Sequence, residues 1–343
     1  MSFKKQRESA IEKTLLPEEQ QAKIDEVKRM IGPIVDKLPT LCSEAEISRC
    51  LRARNWNSKK AGKMFKDSIK WRLEYKPERI RWENVANEAE TGKIYRANYF
   101  DEYGRTVLIM RPGFQNTNAV NEQILYLVYC MENAIWNLNP DQEQMVWLIN
   151  FQLWNSSSIS LKVTRETAKV LQNHYPERLG VAILYNHPKI FESFWTMVKP
   201  FLEPKTFKKV KFVYSDNPQS VKIMQDLFNI NKLDAAFGGR NACGFDYEAY
   251  AQRMQEDDKK MCDFIETSCS PSFQPSIMSE LQQSDSLASD LGSEGSDEAV
   301  GLSSEDEAVG VPSNMEIIDH KIQQDQPHQN TNDVATATQK KQN

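Results

Sequence analysis

The spacing of apolar and polar residues changes character along the chain. Up to about Pro77, apolar residues recur three and four apart, the period of amphipathic helices. Ile24, Val27 and Ile31 mark one helix, closed by Gly32–Pro33. Ser43 with Glu46 has the spacing of a capping box and opens a second helix through SEAEISRCLRARN. A third begins near Ser58, with Ala61, Met64, Phe65 and Ile69 on one face, and Pro77 ends it.

From about residue 91 strands alternate with helices. KIYRAN and RTVLIM flank Asp101–Gly104 and predict a strand pair joined by a turn. A helix follows over Ala119–Leu138, then a buried strand MVWLINF at 145–151 and a helix Leu161–His174 stopped by Pro176. VAILY at 181–185 and KFVY at 211–214 read as strands, and Lys189–Leu202 and Pro218–Phe228 as helices. Such alternation predicts an α/β layer with a mixed, largely parallel sheet behind an N-terminal helical module.

The net charge of −5 hides a partition. Residues 266–343 carry three basic and fourteen acidic residues, which leaves the first 265 residues mildly basic at +6. The acidic stretch is rich in Ser and Gln and has one aromatic, Phe273, too little apolar surface to offset the entropy of ordering. It reads as a disordered tail, with a possible role as the docking segment for a protein partner. The expected partition is a flexible N-terminus at 1–17, the helical module at 18–77, the α/β domain at 91–242 and the tail at 266–343.

Several function classes lack their signatures. The longest apolar run, Ile124–Met131, is far short of the ~20 residues of a membrane span, and no secretory leader is visible. Nucleotide loops (GxGxxG, GxxxxGK[ST]), GxSxG, HExxH and zinc-ligand spacings are absent. The six cysteines form no CxxC pair and read as free thiols. His174 and His187 read as helix-end and loop residues rather than catalytic ones. The basic stretches 48–60 and 205–211 come with no nucleic-acid-binding motif. The expectation is a cytoplasmic, non-enzymatic chain with no catalytic residue, metal, cofactor or nucleic-acid partner.

The segment KIFESFWTMVKPFLEP at 189–204 is apolar around most of its circumference. Such a helix is either buried between layers or meets something apolar on its second side. With LRARNW at 51–56, HYPERLG at 174–180, FWTMVKPFLEPKTFKKVKFV at 194–213 and AFGG at 236–239, it resembles the CRAL-TRIO lipid-binding family. The nearest type is the phosphatidylinositol/phosphatidylcholine transfer proteins of fungi and plants. The resemblance runs in order over roughly residues 40–242.

The resemblance implies an apolar lipid pocket closed by a mobile gate helix at Phe191–Leu202. Phe191, Phe194, Trp195, Val198, Phe201 and Leu202 would form that gate and its membrane contact. It also implies a phosphoinositide headgroup site at Arg54, Glu177, Arg178, Thr206 and Lys209. The chain departs from the family at Asn55, often lysine; at Met145 and Trp147, usually small hydroxyl residues for phosphatidylcholine; and at Asn150 and Leu153, often aspartate and then glycine. The implied function is uptake of a phospholipid, phosphatidylinositol first, by a protein that visits membrane surfaces transiently. Two alternatives stay open: a module for another hydrophobic ligand such as a sterol or a tocopherol-like molecule, and a signalling scaffold acting through the tail.

Overall fold

The computed structural model describes residues 15–155, 157–158 and 160–268. The expectations for most of the N-terminus and for nearly all of the acidic tail, its partner role included, lie outside them. The helical module contains α1 (Pro17–Ile31), α2 (Ile34–Lys37), α3 (Glu44–Ala53) and α4 (Ser58–Tyr75). Its core is made by the residues that the spacing predicts: Ile24, Val27, Ile31, Ile47, Ala61, Met64, Phe65 and Ile69. Ser43 caps α3, its Oγ accepting the Glu46 N–H at 3.3 Å. The other half of the capping box is not made. The Glu46 carboxylate pairs with Arg49 and, at 3.0 Å, with Arg178.

Next come α5 (Trp82–Ala89), β1 (Ile94–Phe100), β2 (Thr106–Met110), α6 (Val120–Trp136), β3 (Met145–Asn150), α7 (Leu161–His174) and β4 (Leu179–Tyr185). The chain continues through α8 (Phe191–Val198), α9 (Pro204–Lys208), β5 (Val210–Val213), α10 (Pro218–Leu227) and α11 (Tyr247–Ser268). The sheet order is β1-β2-β3-β4-β5; β1 is antiparallel to β2 and every other pair is parallel. Each parallel step moves one strand further in the same direction. Right-handed crossovers therefore put α6, α7 and the α8–α9 segment on one face.

The other face is closed by α10 and the chain after it. Met224, Phe228, Leu233 and Phe237 pack on Val107, Ile109, Val146, Leu148, Val181 and Ile183. The AFGG motif ends this stretch. Gly238 is left-handed (φ +82°), and a Cβ on Gly239 would lie 1.8 Å from the Leu233 carbonyl oxygen.

α2, α5, α9 and α11 have no counterpart among the elements that the spacing predicts, and α11 runs to Ser268, past the expected start of the tail at 266. Two buried carboxylates bind α11 to the body. Asp257 accepts from Arg96 (2.6 Å), Asn133 (3.0 Å) and Asn137 (3.0 Å). Asp258 accepts the Trp82 N–H (2.6 Å) at the start of α5 and the Tyr129 hydroxyl (3.1 Å). Burial pushes the Asp258 carboxyl up to about 6.

A second buried polar group joins the module to the α/β domain. Arg72 of α4 grips Glu132 of α6 with two bonds of 3.0 and 2.9 Å, and the Tyr175 hydroxyl donates to the same carboxylate at 2.6 Å. His174 stacks on Trp71 with ring centroids 4.2 Å apart. Burial first, and the Arg72 charge second, press the His174 imidazole down to about 4. The folded state thus keeps His174 neutral where the unfolded chain protonates it. Its stability contribution is complete above about pH 6.5 and is lost as pH falls toward 4. We expect urea-unfolding free energies to fall across that window by up to ~3 kcal/mol on this account. His174→Gln should flatten the slope, and an unchanged slope would refute the assignment.

Candidate functional site

Between the sheet and the α7–α8 layer lies a cavity of about 320 Å³. Its floor is the side of β3 and β4 that carries Trp147, Ile149, Ala182 and Leu184, and the intervening positions Val146, Leu148 and Ile183 face the opposite core. Leu127 and Met131 of α6 and Ala168 and Leu171 of α7 wall it. Phe191, Phe194, Trp195 and Val198 roof it.

The roof is the segment expected to be the gate. It is helical to Val198, and then Pro200 sits in a 3-10 turn over Lys199–Phe201, so the expected single helix to Leu202 is split. Phe191, Phe194 and Trp195 turn toward the cavity, whereas Phe201 does not line it and lies half-buried beneath the Arg165 guanidinium. Phe191, Phe194 and Val198 are buried with Phe151, Trp154 and Leu184. Trp195 is half-buried, stacked on Phe207 (centroids 6.0 Å apart) and edge-on to Phe212. The outward apolar residues are Ile190 and Met197, 60% and 48% exposed, joined by Leu153 at 67%. Leu153 keeps the left-handed backbone (φ +59°) that suits the glycine expected there by resemblance.

The two ends of the roof are held differently. At the start, His187 lies among Phe151, Phe191 and Phe212, its Nε2 against the Tyr214 hydroxyl. At the finish the ties are polar. Gln172 of α7 donates to the Phe201 carbonyl (2.9 Å) and accepts the Glu203 N–H (2.6 Å). Arg54 pairs with Glu203 at 3.2 Å, and Lys205 donates to the Arg52 carbonyl at 2.7 Å.

Four of the five residues expected to bind a headgroup line this one cavity: Glu177, Arg178, Thr206 and Lys209. Glu177 is left-handed (φ +58°) and ion-paired with Lys209 at 2.7 Å. Arg178 turns its guanidinium toward the module, to Glu46 (3.0 Å) and the Glu143 carbonyl (3.1 Å). Burial holds the Arg178 guanidinium below its ordinary range. Arg54 is not among the lining residues and reaches the cavity only through Glu203, which is. Lys205 and Glu203, absent from the expected set, also line it, so Lys205 and Lys209 stand at the polar end with Glu177 and Glu203. Of the departures, Trp147 lines the cavity, Met145 is wholly buried in the core, and Asn55 is exposed at a left-handed turn position (φ +51°).

This arrangement can enclose an apolar body with a polar group at one end. Among the described residues there is no cluster of metal-ligating side chains and no helix long and apolar enough to cross a membrane. The thiols of Cys42, Cys50 and Cys130 are buried and pushed up to about 12, which keeps them protonated.

Residues 89–239 match the CRAL/TRIO domain model. The chain is 33% identical over 211 residues to a CRAL-TRIO domain-containing protein of Schizosaccharomyces pombe, covering 61% of this chain and 20% of that protein. It is 31% identical over 215 residues to the phosphatidylinositol transfer protein PDR17 of Saccharomyces cerevisiae, covering 59% of each. It is 29% identical over 225 residues to the SEC14 cytosolic factor of Candida glabrata, covering 58% of this chain and 71% of that one. The chain thus spans between 20% and 59% of the first curated relatives it matches. Among solved structures, the crystal structure of Sfh5 superposes with a TM-score of 0.54 at 16% identity, covering 73% of this chain and 99% of that one. Residues 89–239 are thus similar to the CRAL/TRIO domain family, and the resemblance to the fungal phosphatidylinositol transfer type holds.

The Gln172 tie is testable. Gln172→Ala removes both partners of the Phe201 and Glu203 backbone groups, and the Glu203 amide should exchange about five- to tenfold faster in hydrogen-exchange mass spectrometry. Unaltered exchange would show that Gln172 does not hold the roof.

Proposed function

We propose that this chain binds and transfers a phospholipid, with phosphatidylinositol the preferred ligand. The observation that carries the reading is the gathering of Glu177, Thr206 and Lys209 at one end of a predominantly apolar cavity under an aromatic roof. A buried phosphodiester needs cations and donors, and the lysine, the hydroxyl and the cavity-lining Lys205 supply them. The Glu177 carboxylate can accept from inositol hydroxyls. The names of PDR17 and the other phosphatidylinositol transfer relatives point the same way.

Energetics set the mechanism. A diacyl lipid leaving a bilayer exposes many methylenes, each worth roughly 0.8 kcal/mol. Extraction is near balance only if an apolar cavity takes over those methylenes, so the roof must open at the membrane and not in water. Leu153, Ile190 and Met197 are the exposed apolar residues next to Trp154, Phe191 and Val198 of the roof cluster. They suit insertion at the interface better than the inward aromatics do. Lysines at 189, 199, 205, 208 and 211 flank the same segment, each worth about 1 kcal/mol near an anionic leaflet. The chain would act as a peripheral visitor to membranes from the cytoplasm.

A second reading, a neutral apolar ligand such as a sterol, draws on the Glu177–Lys209 ion pair, which leaves the polar end partly self-neutralised. One experiment separates the two. The full chain is incubated with vesicles containing phosphatidylinositol and sterol, re-isolated, and its bound lipid identified by mass spectrometry. Phosphatidylinositol should be recovered, and Lys209→Ala and Thr206→Val should each lower it about tenfold or more. Sterol recovery that neither substitution changes would replace the phospholipid reading with the second one.

A further inference from the structure

Trp147 stands at a level of the cavity where nothing in the protein satisfies it. Its indole Nε1 is buried and has no hydrogen-bond partner. Among the described residues it is the only such atom whose residue lines this cavity. The other amide and ammonium donors around the cavity are engaged. Gln115 and Gln123 donate to the Thr117 carbonyl, Gln172 to that of Phe201, and Lys93 to Glu88 and Thr117. A buried N–H without an acceptor is costly, and an apolar floor that needed only bulk would be better served by Phe or Leu.

The strand register fixes how deep this donor lies. Met145 of β3 pairs with Leu179 of β4, the residue that follows the Glu177–Arg178 turn, and Trp147 pairs with Ala182. Two residues along a strand are about 7 Å, so Trp147 is one such step inward from the polar end. Ala182 opposite it is small and also lines the cavity. Beyond that level the sheet floor is Ile149 and Leu184, both apolar, while Ser158 and, from α7, Thr164 and Thr167 line the cavity opposite. On the sheet floor, a ligand whose charged group sits at Glu177 and Lys209 therefore meets one unpartnered hydrogen-bond donor at the depth of one short polar linker. Further along that floor it meets only hydrocarbon, at Ile149 and Leu184.

We propose that Trp147 Nε1 donates to an ester carbonyl at the glycerol level of the bound lipid and selects acyl-ester lipids over ether-linked ones. The assignment rests on the phospholipid reading of the cavity. In a glycerophospholipid the ester carbonyls lie one glycerol away from the phosphate and immediately before the chains. A dialkyl ether analogue keeps the headgroup, the glycerol and the chains but lacks those carbonyls.

The test uses the full chain and vesicles holding equal amounts of diacyl and dialkyl-ether phosphatidylinositol of matched chain length, in a dialkyl-ether phosphatidylcholine carrier. The protein is re-isolated and the bound lipid quantified by mass spectrometry. Wild type should be enriched about five- to tenfold in the diacyl form, the scale of one hydrogen bond. Trp147→Phe should bind both forms equally at similar total occupancy. Equal uptake of the two forms by wild type overturns the assignment without recourse to any variant, as does a preference retained by Trp147→Phe. Both results leave phospholipid binding standing. Recovery of neither lipid overturns the phospholipid reading and this assignment with it.

Discussion

A guanidinium buried in a protein must have a carboxylate, and much of this structure depends on how that demand is met at Arg72. Its two bonds to Glu132 fasten α4 to α6, and the Tyr175 hydroxyl completes the carboxylate's shell. Breaking such a pair from one side costs several kcal/mol, because it strands a charge in the interior. The chain leaving Tyr175 then turns at Glu177 and Arg178, which face opposite ways. Glu177 goes to Lys209 in the cavity, and Arg178 goes to Glu46 in the module. The position of the polar end is thus inherited from an ion pair outside the cavity.

The one-directional sheet explains why a cavity exists at all. With α6, α7 and α8 all on one side, that face has more helix than strand length to cover. The α8–α9 segment spans the gap as a roof and does not pack flat on the strands. Interiors normally close to crystal-like density, and a void without occupant forfeits dispersion on all its walls. Here the walls are braced independently: α6 and α7 by the module, and the roof by its rings and by Gln172.

Periodicity made much of this fold legible. The bounds of α7 fall where the spacing puts them, and the strands agree to within two residues. What failed was local reading of residues whose partners are remote. In α11 Asp257 and Asp258 look like a solvated acidic run, yet both are buried. Their donors, Arg96 and the Trp82 N–H, lie 161 and 176 residues away in sequence. Arg54 is similar: resemblance assigns it to a headgroup, and only the folded chain reveals Glu203 across from it at 3.2 Å. The cavity positions Glu177, Thr206 and Lys209 were accessible through motif resemblance alone, since nothing in their spacing separates them from surface residues. Trp147 was visible as a departure, but the fate of its N–H depends on the packing around it.

The unequal fastening of the roof has a consequence for how it responds to its surroundings. The ring contacts of Phe191 with Phe151 and Trp154 are indifferent to ions, because phenyl and indole rings hold no net charge that salt can screen. The Arg54–Glu203 pair and the Lys205–Arg52 bond, both at least partly exposed, weaken as salt or a layer of phosphates competes for the same cations. One end of the segment is tuned by what dissolves in water and the other by what does not. A surface that is anionic outside and oily beneath addresses both ends in succession, whereas neither brine nor oil alone does.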